Sequence, residues 1–222
     1  MKRISVLLVF FIAVFPLFAQ TNIFSIAPGA EAQLASLLNK PGMVKPTTAV
    51  PLGKNWFTLE TDAHVFSDEV SLKQVAAVLE DIENQPKFFD GKKSKLETKI
   101  ISRSNDETIV DFTAIAMILA FKLRTPYRAA QKTVIKTETT YGIDIRQLPQ
   151  DSETNKDIKK LIAPRYVQEM TINGKKYTYI RIYSIMEVDA KVLPSAKNTL
   201  ERNSGPTNEE ALEMIIAAAK TK

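Results

Sequence analysis

Tyr177, Tyr179, Arg181 and Tyr183 alternate along the segment 176–189. Period-two spacing places all four on one face of a strand. Tyrosine offers broad apolar area with a polar tip, so this face could wall a pocket in which Arg181 meets an acidic head group. The same pattern also fits an outer sheet face, because Ile180, Ile182, Met186 and Val188 on the other side form the more apolar set. Asp111 lies in the apolar run TIVDFTAIAMILAF. A carboxylate there must be paired or protonated, since a lone charge is costly to desolvate. It could anchor a ligand, bond an arginine on a neighbouring strand, or sit at the surface. Arg124, Tyr127 and Arg128 border Pro126, at a bend where they could greet an anionic head group or form a solvated rim. Phe88 and Phe89 follow a helix and could flap over a pocket or fill core. The candidate ligand-binding set is therefore Phe88, Phe89, Asp111, Arg128, Tyr177, Tyr179, Arg181 and Tyr183.

Other chemistries find little footing. His64 is the single histidine, near Asp62, Asp68 and Glu69 but without metal-ligand spacing. No HExxH, GxSxG, Walker loop or GxGxxG occurs, and with no cysteine there is no thiol chemistry. The sequence assigns no catalytic residue, no metal ligand and no cofactor. The formal charge is +5 with basic and acidic residues interspersed, which gives no nucleic-acid footprint.

The elements that must position these residues follow from periodicity. Residues 30–39 carry Leu34, Leu37 and Leu38 at helical spacing, and Pro41-Gly42 ends that pattern. Residues 40–53, with three prolines and two glycines, read as a linker, and the short helix before them as an accessory or a mobile arm. Residues 56–66 alternate, with Phe57, Leu59, Ala63 and Val65 facing one way and Thr58, Glu60, Asp62 and His64 the other. Ser71 and Gln74 form a capping box for a helix whose stripe is Leu72, Val75, Val78, Leu79 and Ile82. Strands are predicted over 95–102, 108–122, 128–138, 141–148, 165–172 and 176–189. The run 108–122 reads as a strand buried on both faces, with Met117, Leu119 and Phe121 covered by the N-terminal helix. Asn173-Gly174 marks a hairpin. Residues 149–164 read as a polar excursion with one helical turn, and 208–220 as a closing helix. The absence of βαβ alternation argues against a parallel sheet.

Residues 1–19 have the pattern of a signal peptide: Lys2-Arg3, the apolar run 4–18, then Ala19. The alternative is an uncleaved anchor. Removing Lys2 and Arg3 would take the formal charge from +5 to +3. The expected organisation is a signal peptide over 1–19, an N-terminal helix and linker over 20–53 and one domain over 54–222. Export without cysteine points to a bacterial periplasmic or secreted protein whose core alone holds the fold.

The order strand, helix VAAVLEDIENQPKFF, successive antiparallel strands and a final helix resembles the START-like, polyketide cyclase-like (SRPBCC) superfamily, exported bacterial START-domain proteins above all. Val75, Val78, Leu79, Asp81, Pro86 and Phe88 match its V-x-x-V-L-x-D-x-x-x-x-P pattern and the aromatic that follows; Lys87-Phe88-Phe89 stands where relatives carry a tryptophan. The resemblance implies an α+β helix-grip fold, with a curved antiparallel sheet of about six to seven strands around the C-terminal helix. It implies a cavity between them that holds a lipid or other apolar small molecule, with transient membrane contact a further possibility. Two other readings stay open: an interaction module with a closed cavity, and a cyclase- or hydrolase-type enzyme using Asp111 or a pocket tyrosine.

Overall fold

The computed structural model describes residues 22–92, 94–105, 107–118, 121–149, 158–191, 193 and 195–222. The signal-peptide reading and half of the polar excursion fall outside them. Ten strands form one antiparallel sheet: β1 (Gly42–Met43), β2 (Thr48–Gly53), β3 (Trp56–Ser67), β4 (Ser94–Arg103), β5 (Glu107–Ile118), β6 (Phe121–Lys136), β7 (Thr140–Gln147), β8 (Ile158–Ile162), β9 (Arg165–Ile172) and β10 (Lys175–Asp189). The helices are α1 (Leu34–Leu37), α2 (Leu72–Glu80), α3 (Gln85–Phe88) and α4 (Ala196–Ala219). The strand order is β1-β3-β10-β8-β7-β6-β5-β4, with β2 on β3, and β9 bridging β10 and β7. Register shifts interrupt four of the ladders, and such bulges bend a sheet. The sheet curls far enough that α4 touches β3 and β10 at one side and β4 and β5 at the other.

The inner face is apolar by alternation. Ala63 and Val65 of β3, Ile180 and Ile182 of β10, Val167 of β9 and Ile143 of β7 pack against Leu212, Ile215 and Ile216 of α4 and the stripe of α2. Helix α2 starts where Ser71 predicts. The Gln74 amide donates to the Ser71 hydroxyl and the Ser71 amide donates to Gln74 Oε1. Such a reciprocal cap satisfies two amides that the first helical turn leaves over.

The outer face is covered in part by the chain's own start. Ala27, Ala30 and Leu37 pack on Phe66, Tyr166 and Tyr179, so the short N-terminal helix is an accessory layer rather than a free arm.

Several expectations are corrected. The sheet has ten strands, not six to seven. The supposed linker supplies β1 and β2, both paired with β3. Residues 158–162 form a strand, not a helical turn, because they pair with the edge of β10 through a bulge. The final helix begins twelve residues before 208 and runs through Pro206. The apolar run 108–122 is divided between β5 and β6, and β5 is not buried on both faces, since Met117 is 44% exposed and uncovered. Leu119 and the Phe121 side chain lie outside the described residues.

Candidate functional site

Between the inner face of the sheet and α4 lies a cavity of about 290 Å³. Its wall combines Leu59, Leu79, Phe112, Ile143, Ile145, Ile158, Leu161, Met186 and Val188 with Leu193, Leu200 and Ala211. The sequence produces it by contrast along α4. The last turns present Leu212, Ile215 and Ile216 and close onto the sheet. The first turns present Asn203, Ser204, Thr207 and Asn208, which do not fill the space. Three of these turn back on their own helix. Asn203 Nδ2 donates to the Thr199 carbonyl, Ser204 Oγ to Leu200 and Thr207 Oγ1 to Asn203, at 2.7, 2.8 and 2.9 Å. Gly205 brings this half of the helix close to Thr47 and Met43, whose atoms lie 3.4 and 3.5 Å from where a Cβ would stand.

The cavity holds few polar groups. Thr61 and Ser184 share a hydrogen bond of 2.6 Å, and Asn208 Nδ2 donates to Thr61. Gln131 Nε2 donates to the Leu79 carbonyl at 3.2 Å, while its Oε1 is buried without a hydrogen-bond partner. Arg165, at the first position of β9, points its guanidinium into the cavity. Burial pulls that guanidinium down to about 10, with Tyr127 nearby acting in the other direction. Burial likewise pushes the Tyr127 hydroxyl up to about 12, against the pull of Arg165. Both therefore enter neutral solution as proton donors, the arginine charged and the tyrosine neutral.

The mouth is held by Glu210 of α4. Its Oε1 accepts the Lys92 amide at 2.9 Å, and its Oε2 accepts the Ser94 amide at 2.9 Å and the Ser94 hydroxyl at 3.1 Å. The loop after α3 is thus tied to α4 beside Phe89 and Ser94, which both line the cavity. Gly91 permits the approach: a Cβ there would lie 2.6 Å from Glu210 Oε2.

Of the predicted set, Phe89 lines the cavity and Phe88 packs half-buried on the core beside it, under the Lys222 ammonium. Asp111 and Arg128 face each other across β5 and β6 as a two-bond pair of 2.6 and 2.9 Å. They alternate with the cavity-lining Phe112 and Tyr127, so they stand on the outer face. Tyr177, Tyr179, Arg181 and Tyr183 are outer-face residues as well, opposite in phase to Ile180, Ile182 and Met186.

That outer set forms a polar cluster under the N-terminal segment. Arg181, fully buried, donates Nε and Nη2 to the two oxygens of Asp62 at 2.8 Å each. Its Nη1 donates to the carbonyls of Asn22 and Ser25 at 3.2 and 2.9 Å. Tyr183 donates to Glu60 at 2.9 Å, and the Tyr179 hydroxyl meets His64 Nδ1 at 2.7 Å and accepts the Ala27 amide at 3.1 Å. Four of the five N–H groups of Arg181 are engaged there, and the side chain is buried on the outer face, away from the cavity. His64 touches Asp62 at 3.2 Å, and no cluster of three metal-ligating side chains occurs among the described residues.

Arg165 and Tyr127 are the functional candidates that the sequence reading passed over or set on the rim. The strand predicted over 165–172 includes Arg165, but alternation alone does not say which of its faces turns inward. The one available signal was that Arg165 shares its phase with Val167.

No family model matches the sequence, and no curated protein is similar to it. Solved structures are. The fold is similar to that of the Zhui aromatase/cyclase from Streptomyces sp. R1128, with a TM-score of 0.52 and 15% identity over 73% of this chain and 93% of that one. It is similar to a fragment of the STAR-related lipid transfer protein from Xanthomonas axonopodis, with a TM-score of 0.50 and 8% identity over 79% of this chain and 99% of that one. Sheet, grip and cavity together have the helix-grip fold that these two structures share.

Proposed function

We propose that this protein is an exported binding protein that holds a lipid or another apolar molecule between the sheet and α4. The cavity of about 290 Å³ carries the reading, because its wall is apolar with a few placed polar groups. A void of that kind left empty forgoes packing energy that a ligand would restore. One of the similar structures is described as a lipid transfer protein, which agrees. The export part of the proposal rests on the sequence of residues 1–19 alone.

Native mass spectrometry of the protein purified from its own host, beside Ala114→Phe, tests it. Ala114 lines the cavity from β5, so the larger side chain occupies ligand space. The wild type is expected to carry a non-covalent apolar adduct that the variant lacks. A wild type that stays empty after incubation with host lipid extract, or a variant that keeps the adduct, would overturn the proposal.

A further inference from the structure

Arg165 is a cation in the cavity wall for which the described residues supply no anion. Its Nη1 donates to the carbonyls of Ala163, Pro164 and Tyr183 at 2.9, 3.1 and 3.4 Å. Its Nε and Nη2 have no partner among the described residues, and no carboxylate there pairs with it. The other basic residue of the lining, Lys95, is engaged at the surface by Asp90. Tyr127 lines the same cavity and packs on the cluster of Ile158, Leu161 and Ala163, the last of which accepts from Arg165 through its carbonyl; it also makes no hydrogen bond among the described residues. Around them the wall is Phe112, Ile145, Ile158, Leu161 and Ala163. A purely structural arginine would be expected to bring its own acid, as Arg181 does with Asp62.

Building on the reading of the cavity as a ligand site, we propose that Arg165 and Tyr127 form a receptor for a single carboxylate, so that the ligand is an apolar monocarboxylate. The charge is matched one to one. A guanidinium edge and a hydroxyl can donate to the two oxygens of a carboxylate. A phosphate dianion would leave one negative charge without a partner in an apolar space. The volume, at the lower end of small-molecule sites (about 300–1,000 Å³), suits one short chain or a small ring system rather than a two-tailed lipid. Arg165 is already half-buried, so part of its desolvation cost is met by folding.

Isothermal titration calorimetry at neutral pH with octanoate, octan-1-ol and octyl phosphate tests the assignment. Octanoate is expected to bind about 10- to 100-fold tighter than octan-1-ol, and tighter than octyl phosphate. Arg165→Gln should remove the difference between octanoate and octan-1-ol, and Tyr127→Phe should reduce it. Equal binding of octanoate and octan-1-ol by the wild type would overturn the carboxylate receptor and leave the cavity reading standing. Tighter binding of octyl phosphate would replace the carboxylate with a phosphate head. Failure of all three to bind would overturn both proposals. Should Arg165→Gln not fold, the wild-type comparison and Tyr127→Phe decide.

Discussion

Two arginines on neighbouring strands have opposite fates. Arg181 and Arg165 stand on β10 and β9, on opposite faces of one sheet. Arg181 is neutralised by Asp62 and capped by carbonyls of the N-terminal segment, so its role is to fix that segment to the sheet. Asp62→Ala leaves this guanidinium buried without its anion and is expected to cost about 3–5 kcal/mol in urea unfolding; a loss below about 1 kcal/mol would contradict the role. The pair also sets an acid limit. Burial alone would raise the Asp62 carboxyl, but the close approach of His64 and the two hydrogen bonds from Arg181 outweigh it and hold the carboxyl below its ordinary 3.8. A folded value below the unfolded one means that the stabilisation is complete above about pH 4 and drains as pH falls through the folded value. Stability curves of wild type and Asp62→Ala should therefore converge in acid and separate above it. The alternation that places Arg181 was readable in the sequence, as was its competing assignment to an outer face. Its partner Asp62 stands on a strand more than a hundred residues earlier, and no local pattern links the two.

Elements with strong local signals formed where they were read. The α2 cap, the Asn173-Gly174 hairpin and the alternation of β3 and β10 each have a cause within a few residues. The elements that were missed owe their form to partners distant in sequence. Thr48–Gly53 carries Pro51 and two exposed apolar residues, Val50 and Leu52, yet it is a strand because the edge of β3 lies beside it. The first half of α4 contains Gly205-Pro206, which reads as a stop; packing on β2 and β3 keeps it helical. The mouth of the cavity belongs to this scale too. Glu210→Ala removes the acceptor of two amides and one hydroxyl, and is expected to cost about 1–3 kcal/mol. It should also speed hydrogen exchange at the Lys92 and Ser94 amides, read by NMR, while exchange in β10 changes little. Unaltered exchange at those two amides would mean that the loop is held by something other than Glu210.

At the scale of the molecule, the sheet has two unequal faces. Under the N-terminal segment the outer one combines an apolar cluster around Phe66 and Tyr179 with the Arg181–Asp62 ion pair, and it is filled. The inner one is apolar and incompletely filled. The chain order and the helix pattern made the class of fold legible. The cavity was legible only through that class, because its shape depends on where α4 stops touching the sheet. The pocket candidates named on the Tyr177–Tyr183 face fell on the wrong side of the wall, since alternation gives the two faces but not which of them meets α4. The central claim is that binding happens on the inner face. A methyl NMR titration of the wild type with octanoate tests it most directly. The account predicts shifts confined to Leu59, Leu79, Ile143, Ile145, Leu161 and Leu200, with Val44, Ile135 and Ile172 of the outer layer unmoved. Shifts centred on the outer layer would contradict it, as would a saturating titration that leaves the inner methyls where they were.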